Sequence, residues 1–252
     1  MVRLISEEAV DAELYQATVA RLEEMARLRN QIQKRRSVLI HGNEAVGKTR
    51  LVRKFLADIP LGLCVPQVQS RRGVLLSIAA ELQRTGEDVL GGNDPKKFTT
   101  ASLKGLVQKA LECKPYILCL DHVSGPSKIV CGLIKDLNYF ERTPVILVSR
   151  SPHMEDIGTL GPLCAGRADR IEIEEFPIAI ALRFAREQAS DTHLNAANLE
   201  EFLTGIVGWS NGNPGSILQM IQMARGRRYR IEDQLKSHVI YLDFRMGRTQ
   251  EP

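Results

Sequence analysis

The 252-residue sequence lacks any apolar run approaching the roughly 20 residues that a membrane-spanning helix needs. It begins Met-Val-Arg-Leu-Ile-Ser-Glu-Glu, which is acidic within its first turn and has no apolar segment of the kind found in signal peptides. The composition is otherwise ordinary for a globular protein, with 44% hydrophobic and 25% charged residues. We therefore expect a cytoplasmic protein that does not bind membranes.

A C-x-x-C pair is also missing, and the number of cysteines is odd. This pattern favours buried, reduced thiols over a disulfide framework or a zinc site. The sequence has no zinc-finger, homeodomain or RNP signature, no internal repeat and no low-complexity segment. A net charge of +4 and a pI of about 8.8 permit nucleic-acid binding without requiring it. The five cysteines are Cys64, Cys113, Cys119, Cys131 and Cys164.

The chain is organised around the motif G-x-x-x-x-G-K-[ST], with Gly42, Gly47, Lys48 and Thr49 at its fixed positions. A short apolar run before it predicts a buried strand, and an amphipathic pattern over residues 49–56 predicts a helix after it. In this context the glycines allow backbone N–H groups to face phosphate oxygens at a helix N-terminus. We expect Lys48 to reach the β- and γ-phosphates of a nucleotide and Thr49 to bind Mg²⁺. The other expected nucleotide contacts in the loop are Asn43, Glu44, Ala45, Val46 and Arg50.

A second apolar run, residues 116–120, ends in Asp121. A continuous apolar run suits a central parallel strand, and an acid at its carboxyl end lies where ligands bind in open α/β sheets. Asp121 is therefore expected to hold Mg²⁺, directly or through water. Many P-loop ATPases have an acid at the next position, but here it is His122, which can accept a proton yet supplies no fixed negative charge. Slow hydrolysis and a base elsewhere in the chain both stay open, and Glu44 is an alternative polar group near the γ-phosphate.

Three arginines lie at or near the ends of further predicted strands. An apolar run over residues 145–148 ends in Ser149 and Arg150, which the same argument directs towards the γ-phosphate. Arg167 and Arg170 precede an alternating strand predicted over residues 171–176. One interpretation presents these two arginines to the nucleotide of a neighbouring copy, where they would stabilise transition-state charge. The alternative is that they are surface residues paired with Asp169 or Glu172.

These elements predict an α/β protein in three parts. Residues 1–36 form an N-terminal helical segment, residues 37–176 a P-loop core with a five-stranded, mainly parallel sheet, and residues 177–252 a small all-helical subdomain with a tail. Helices are predicted over residues 178–190, 196–207, 214–223 and 231–244, and Pro214 suits the first position of its helix. The densest basic cluster suits either a solvated helix end or a contact with the phosphates of duplex DNA or an acidic partner. It consists of Arg225, Arg227, Arg228 and Arg230.

In this order, the motifs resemble those of the AAA+/STAND branch of P-loop ATPases, over about residues 10–240. The resemblance is carried by residues 42–49, 117–121 and 145–150, by the arginines before Ile171, and by Gly212-Asn213-Pro214. Within that branch the chain is similar to origin-recognition, transposition-regulator and STAND modules. The resemblance implies ATP with Mg²⁺, Arg150 at the sensor-1 position, Pro214 near the adenine, and assembly into rings or filaments. A sensor-2 arginine has no match after Pro214, which favours a STAND-like or mixed character.

The resemblance also implies an ATP-hydrolysing molecular switch that assembles when it binds nucleotide. One hypothesis is a DNA-associated regulator of the transposition type, which coats duplex DNA and recruits a transposase. Another is a STAND-like signalling switch that acts through a separate protein partner. A third is an ATP-binding module with little hydrolysis, in which His122 marks a lost catalytic base. The candidate catalytic residues are Lys48, Asp121, His122, Arg150, Arg167 and Arg170.

Overall fold

The computed structural model describes residues 12–140 and 142–247, and five parallel strands form its main sheet. The strands are Val38–His41 (β1), Gly62–Val65 (β2), Ile117–Val123 (β3), Val145–Ser149 (β4) and Arg170–Glu172 (β5). Their order across the sheet is β2-β3-β4-β1-β5. The predicted α/β fold with a five-stranded parallel sheet is confirmed. Strand β4 is buried along its whole length, as its uninterrupted apolar sequence requires.

Strand β5 is shorter than the predicted span of residues 171–176. It pairs with β1 only as far as His41 and Glu172, and the Ile173 N–H then donates a last hydrogen bond to the His41 carbonyl. The pairing ends there because β1 itself ends at His41, where the chain turns at Gly42.

The amphipathic helix predicted over residues 49–56 is present, and two other helices have side-chain caps at their N-termini. Ser70 caps one of them by accepting a hydrogen bond from the Gly73 N–H, and Thr99 caps another by accepting from Ser102. The helices are Ala12–Val19 (α1), Leu22–Gln33 (α2), Lys48–Ala57 (α3), Arg71–Arg84 (α4), Thr100–Cys113 (α5), Lys128–Phe140 (α6), Met154–Ile157 (α7), Ile178–Asp191 (α8), Leu199–Ser210 (α9), Pro214–Ala224 (α10) and Ser237–Arg245 (α11). Within the described ranges, none of these helices is long and apolar enough to cross a membrane.

The described residues divide into two compact units, each with its own apolar core. One unit contains residues 24–44 and 48–173, and its core is formed mainly by β2, β3, β4 and helices α4 to α6. The other contains residues 12–23, Ala45–Gly47 and residues 174–247, with a core formed by Tyr15 and by helices α8 to α11. The domain limits expected at residues 36 and 176 stay a prediction.

The N-terminal segment, expected to be helical over residues 1–36, contains α1 and α2, and residues 1–11 lie outside the described range. The break between the helices falls at Arg21, whose φ of 53° lies in the left-handed region. A continuous helix is impossible at that backbone angle. The turn at Arg21 also sets the direction in which its side chain points.

The expectation of an all-helical subdomain after residue 177 is wrong at one place. Arg230–Ile231 (β6) and Gln234–Leu235 (β7) form a two-stranded antiparallel hairpin where the start of a helix was predicted. The side chain of Asn198 exchanges hydrogen bonds with both backbone groups of Leu235, 3.0 Å and 2.8 Å long. These contacts satisfy groups that a helix would otherwise pair, so the helix begins only at Ser237.

Candidate nucleotide-binding site

The phosphate loop, residues 42–47, connects β1 to the start of α3. Gly42 has a φ of +144° and Gly47 a φ of +103°, angles that favour glycine. A Cβ atom on Gly42 would also lie 2.2 Å from the Ile173 carbonyl oxygen, whereas one on Gly47 would meet nothing within 4 Å. The first glycine is therefore required by both conformation and close packing, and the second by conformation alone.

Lys48 begins α3 and folds its side chain back over the start of the loop. Its Nζ donates hydrogen bonds to the Gly42 and Asn43 carbonyl oxygens, at 2.7 Å and 2.6 Å. The positive charge is thus held at the loop by backbone oxygens. A bound phosphate group would compete with these carbonyls for the ammonium group, because its oxygens carry full negative charge.

Thr49 and Asp121, the two predicted Mg²⁺ ligands, lie in contact although 72 residues separate them. The Thr49 hydroxyl donates to Asp121 Oδ1 at 3.1 Å, and Asp121 is only 5% exposed at the carboxyl end of β3. Hydroxyl and carboxylate oxygens suit Mg²⁺, which usually adds water and substrate phosphates to one or two protein ligands. Within residues 12–140 and 142–247 no cluster of three or more histidine, cysteine or acidic residues could hold a metal. The pair therefore fits Mg²⁺ that arrives together with phosphate.

A β-bulge in β3 gives the neighbouring residues Asp121 and His122 different surroundings. Leu120 pairs with Leu147 and Val123 with Ser149, so β3 contains one more residue than β4 over this stretch. His122 takes a φ of 53°, and its side chain is 71% exposed. Its Nδ1 lies 3.9 Å from Asp121 Oδ1, while its backbone N–H donates to the same oxygen at 3.0 Å. The bulge keeps the carboxylate buried and turns the imidazole towards solvent.

The Arg150 backbone is hydrogen-bonded to the phosphate loop, whereas the Arg150 side chain pairs with Asp156. The Gly42 N–H donates to the Arg150 carbonyl at 3.2 Å, which connects the end of β4 to the phosphate loop. The Arg150 guanidinium, 74% exposed, donates to Asp156 Oδ1 at 3.5 Å. The buried Ser149 hydroxyl donates to the Ser151 carbonyl at 2.6 Å. The sensor role of Arg150 stays a prediction.

Arg167 and Arg170 lie at the start of β5, in different surroundings. Arg167 is exposed on a short 3-10 turn, Arg167–Asp169, whereas the Arg170 Nε donates to the Cys164 carbonyl at 3.1 Å. The acid between them, Asp169, is buried and lies 3.8 Å from Arg36. Asp169 therefore pairs with Arg36, whereas Arg167 and Arg170 were its expected partners. Presentation of Arg167 to a neighbouring copy stays a prediction.

Pro214 starts α10, as predicted, and the Asn213 side chain caps that helix by accepting from the Ser216 N–H. The next N–H, that of Gly215, donates to the Ala45 carbonyl at the apex of the phosphate loop, 3.1 Å away. A Cβ atom on Gly215 would lie 2.5 Å from that of Ala45. Gly215 follows Pro214, in the region where no sensor-2 arginine was found. A glycine is needed there because the chain packs closely against the phosphate loop.

Arg21 is a functional candidate that the sequence analysis missed. Its buried guanidinium donates to the carbonyl oxygens of Val46, at 3.3 Å, and of Glu174, and lies 4.8 Å from the centre of the Phe176 ring. No local sequence signal identified it, because Val19 and Leu22 on either side keep the three-residue spacing of a helix. Arg21 thereby connects the break between α1 and α2 to the apex of the phosphate loop.

The basic cluster at residues 225–230 is largely engaged in contacts within its own unit. Arg228 forms an ion pair with the buried Asp243, which also accepts from the Tyr229 hydroxyl at 3.1 Å. Arg230 donates to the Asn195 carbonyl at 3.0 Å, and Arg225 donates to Gln222 Oε1 at 3.1 Å. Arg227 is exposed. The predicted DNA contact therefore depends mainly on Arg227 and Arg225.

The fold is similar to those of several solved ATPases. The Walker-type ATPase of Pyrococcus abyssi matches with a TM-score of 0.62 and 15% identity, over 90% of this chain and 72% of that one. The ORC1 protein of Aeropyrum pernix, solved in complex with DNA, matches with a TM-score of 0.60 and 15% identity, over 90% and 65%. This chain has the AAA+ P-loop ATPase fold.

A larger signal-transduction ATPase also has a similar fold over part of its length. A STAND protein of Pyrococcus horikoshii with a tetratricopeptide repeat sensor matches with a TM-score of 0.50 and 16% identity, over 90% of this chain and 32% of that one. The chain thus spans about a third of that protein and about two thirds of the ORC1 protein. Neither a protein-family model nor a curated protein matches the sequence. The resemblance stated from the motifs is confirmed at the level of fold.

Proposed function

We propose that this AAA+ fold is an ATP-binding switch that uses Mg²⁺ and hydrolyses ATP slowly. The observation that carries the proposal is the contact of the Thr49 hydroxyl with Asp121, 3.1 Å apart, directly after a glycine loop with Lys48 folded over it. Two stretches of chain that lie far apart in the sequence, residues 42–49 and the end of β3, supply these groups. A chance glycine turn would not bring a buried carboxylate to the hydroxyl at position 49.

Each residue of the candidate site makes a separate contribution to binding ATP. Lys48 exchanges its bonds to the loop carbonyls for bonds to phosphate oxygens, and Thr49 and Asp121 supply the protein oxygens for Mg²⁺. Mg²⁺, when bound with ATP, neutralises charge on the phosphate oxygens. Pro214 and Gly215 position the start of α10 at Ala45. We include the loop residues Asn43, Glu44 and Val46, and Arg50 in the first turn of α3, in the nucleotide site on the same basis.

Slow hydrolysis follows from the bulge at His122. The imidazole is exposed and no fixed negative charge occupies its position, so a water molecule aligned there lacks a strong base. The surrounding polar groups include Gln67, Gln69 and Ser70, which line a cavity of about 440 Å³ together with Asp121 and His122. We expect turnover well below the 1–100 s⁻¹ range of efficient phosphoryl-transfer enzymes.

Titration with a fluorescent ATP analogue tests the proposal. Lys48→Ala should abolish binding, and Asp121→Asn should weaken binding in the presence of Mg²⁺ but not in EDTA. Lys54→Ala is the matched control, because Lys54 is an exposed lysine on the same helix and its loss should leave the affinity unchanged. Equal affinities of the Lys48→Ala variant and the unaltered protein would contradict the proposal.

Assembly on DNA is a second candidate, supported by the exposed Arg227 and by the likeness to a protein that was solved with DNA. Light scattering, measured with and without ATP–Mg²⁺ and with and without duplex DNA, distinguishes assembly on DNA from a switch that acts through a protein effector. Growth of particles only when both are present supports a DNA-coating ring or filament with a transposase-like partner. Growth with ATP alone, or no growth, supports a switch that acts through a protein effector.

A further inference from the structure

Cys64 and Cys119 form a pair of thiols on neighbouring parallel strands. They are directly paired in the register of β2 with β3, so their side chains leave the sheet on the same face. The two thiols are close enough for each to shift the pKa of the other. Cys119 lies two residues before Asp121 and therefore shares a face with it. The two cysteines are 55 positions apart in the sequence, so no local spacing motif connects them.

The two thiols differ in access. Cys64 is half-buried on β2, which is an edge strand of the sheet, whereas Cys119 is fully buried. The neighbouring Cys119 thiol, and to a smaller extent the Arg53 guanidinium, lower the pKa of Cys64, whereas burial, Asp121 and Glu81 raise it. A thiol of this kind reacts first with an electrophile, and its buried neighbour is placed to react second.

We propose that Cys64 and Cys119 are a dithiol modification site that a small disulfide oxidises to a cross-strand disulfide. The Cys64 thiolate attacks one sulfur of the reagent, whose S–S bond breaks and whose other half leaves as a thiolate that takes up a proton. The Cys119 thiol then loses its proton and attacks the Cys64 sulfur, which releases the second half of the reagent as a thiol. Two protein thiols are oxidised to one disulfide, and one small disulfide is reduced to two thiols.

Closure of this disulfide requires a small movement of the strands. Neighbouring strands lie about 4.8 Å apart, and side chains in register keep nearly that spacing. A disulfide prefers Cβ atoms about 3.8 Å apart, so β2 and β3 must approach each other by about 1 Å. Strand β2 has four residues and pairs with one neighbour, which makes it the strand that shifts more easily. Strained disulfides are the more readily reduced ones, so we expect the modification to be reversible.

The movement reaches the candidate Mg²⁺ site through β3. Cys119 and Asp121 belong to the same short strand, and Asp121 Oδ1 lies 3.1 Å from the Thr49 hydroxyl. An approach of β3 towards β2 displaces the carboxylate relative to Thr49. We infer that the oxidised protein binds ATP–Mg²⁺ at least about tenfold more weakly, which corresponds to about 1.4 kcal/mol. This second step depends on the proposed function, whereas formation of the disulfide does not.

Oxidised glutathione is the probe for the first step, used on the full chain under native conditions. After alkylation of the remaining thiols, peptide mapping should show a Cys64–Cys119 cross-link, and the protein should lose two of its five free thiols. Cys113→Ala is the matched control, because it removes an exposed thiol elsewhere and should leave the cross-link intact. Cys119→Ala should stop the reaction at a mixed disulfide of Cys64 with glutathione. Modification of Cys113 without the cross-link, or a stable mixed disulfide in the unaltered protein, would overturn the proposal.

Nucleotide titration of reduced, oxidised and re-reduced protein tests the second step. The affinity for the fluorescent ATP analogue with Mg²⁺ should fall on oxidation and return with dithiothreitol, while Cys64→Ala should show no change. A cross-linked protein that binds as tightly as the reduced one would refute the coupling. A reduced protein that binds no nucleotide would instead refute the proposed function and leave the disulfide in place.

Discussion

Arg21 shows how a single buried side chain can fix the shape of the phosphate loop. Its guanidinium donates to the Val46 and Glu174 carbonyls and covers the Phe176 ring. Arg21→Gln should lower the free energy of unfolding by about 1–3 kcal/mol, because it removes the guanidinium that donates to the buried Val46 carbonyl. Arg27→Gln is the control, since Arg27 is exposed and donates to the Arg170 carbonyl at the surface. Urea denaturation checks both variants, and equal losses would show that Arg21 has no special role.

His41, at the end of β1, makes the stability of the protein dependent on pH. Burial lowers the pKa of His41, with Arg170, Lys48 and His153 acting in the same direction and Glu172 opposing them. Below about pH 6.5 the unfolded chain therefore binds a proton that the folded chain does not. The contribution of His41 is fully present above that pH, and it is lost as the pH falls towards the lowered pKa.

The His41→Gln variant should therefore show a smaller loss of unfolding free energy between pH 7 and pH 5 than the unaltered protein. His193→Asn is the matched control, because His193 is exposed and asparagine tolerates its φ of 51°. Denaturation curves at a series of pH values measure the difference. If both variants followed the unaltered protein, another group would carry the pH dependence.

At the scale of elements, the connection from β1 into α3 requires a residue without a side chain at position 42. Gly42→Ala should lower the free energy of unfolding by about 2–4 kcal/mol, because the new Cβ would meet the Ile173 carbonyl at 2.2 Å and the φ of +144° is unfavourable for alanine. Gly47→Ala should cost less, since only its φ is strained. Gly105→Ala, inside α5 with open space around it, should stabilise by about 0.5–1 kcal/mol. Thermal unfolding ranks the three, and a different order would contradict the packing argument.

The elements that the sequence predicted well are those with a strong local pattern. The loop from Gly42 to Thr49 and the buried strand that contains Asp121 could be identified directly from motif spacing and apolar runs, although β3 continues to Val123. The bulge at His122 could not, since it depends on the register between β3 and β4. The hairpin before α11 was also missed, because the Asn198 side chain that satisfies Leu235 comes from a distant position. Arg21 was missed for the same reason: its partners are backbone groups far along the chain.

At the scale of the whole molecule, the net charge of +4 says less than the distribution of that charge. Arg228 is neutralised by Asp243, and Arg230 is bound to a backbone carbonyl. A basic segment that appears continuous in sequence thus presents fewer charges for binding phosphate. Binding of duplex DNA, where it occurs, should therefore show a shallower dependence on salt than four phosphate contacts would give.

Two arginine variants separate DNA contact from folding. Arg227→Ala should reduce the slope of log K against log salt for duplex DNA by about 1, because one phosphate contact is lost, and should leave the free energy of unfolding unchanged. Arg228→Ala should instead lower the free energy of unfolding, because the buried Asp243 loses its ion-pair partner and keeps the Tyr229 hydroxyl. Fluorescence anisotropy at several salt concentrations, paired with denaturation of the same proteins, measures both effects. If Arg227→Ala left the salt dependence unchanged while the protein still bound DNA, the contact surface would lie elsewhere, because an exposed arginine at a phosphate must release counterions when it binds.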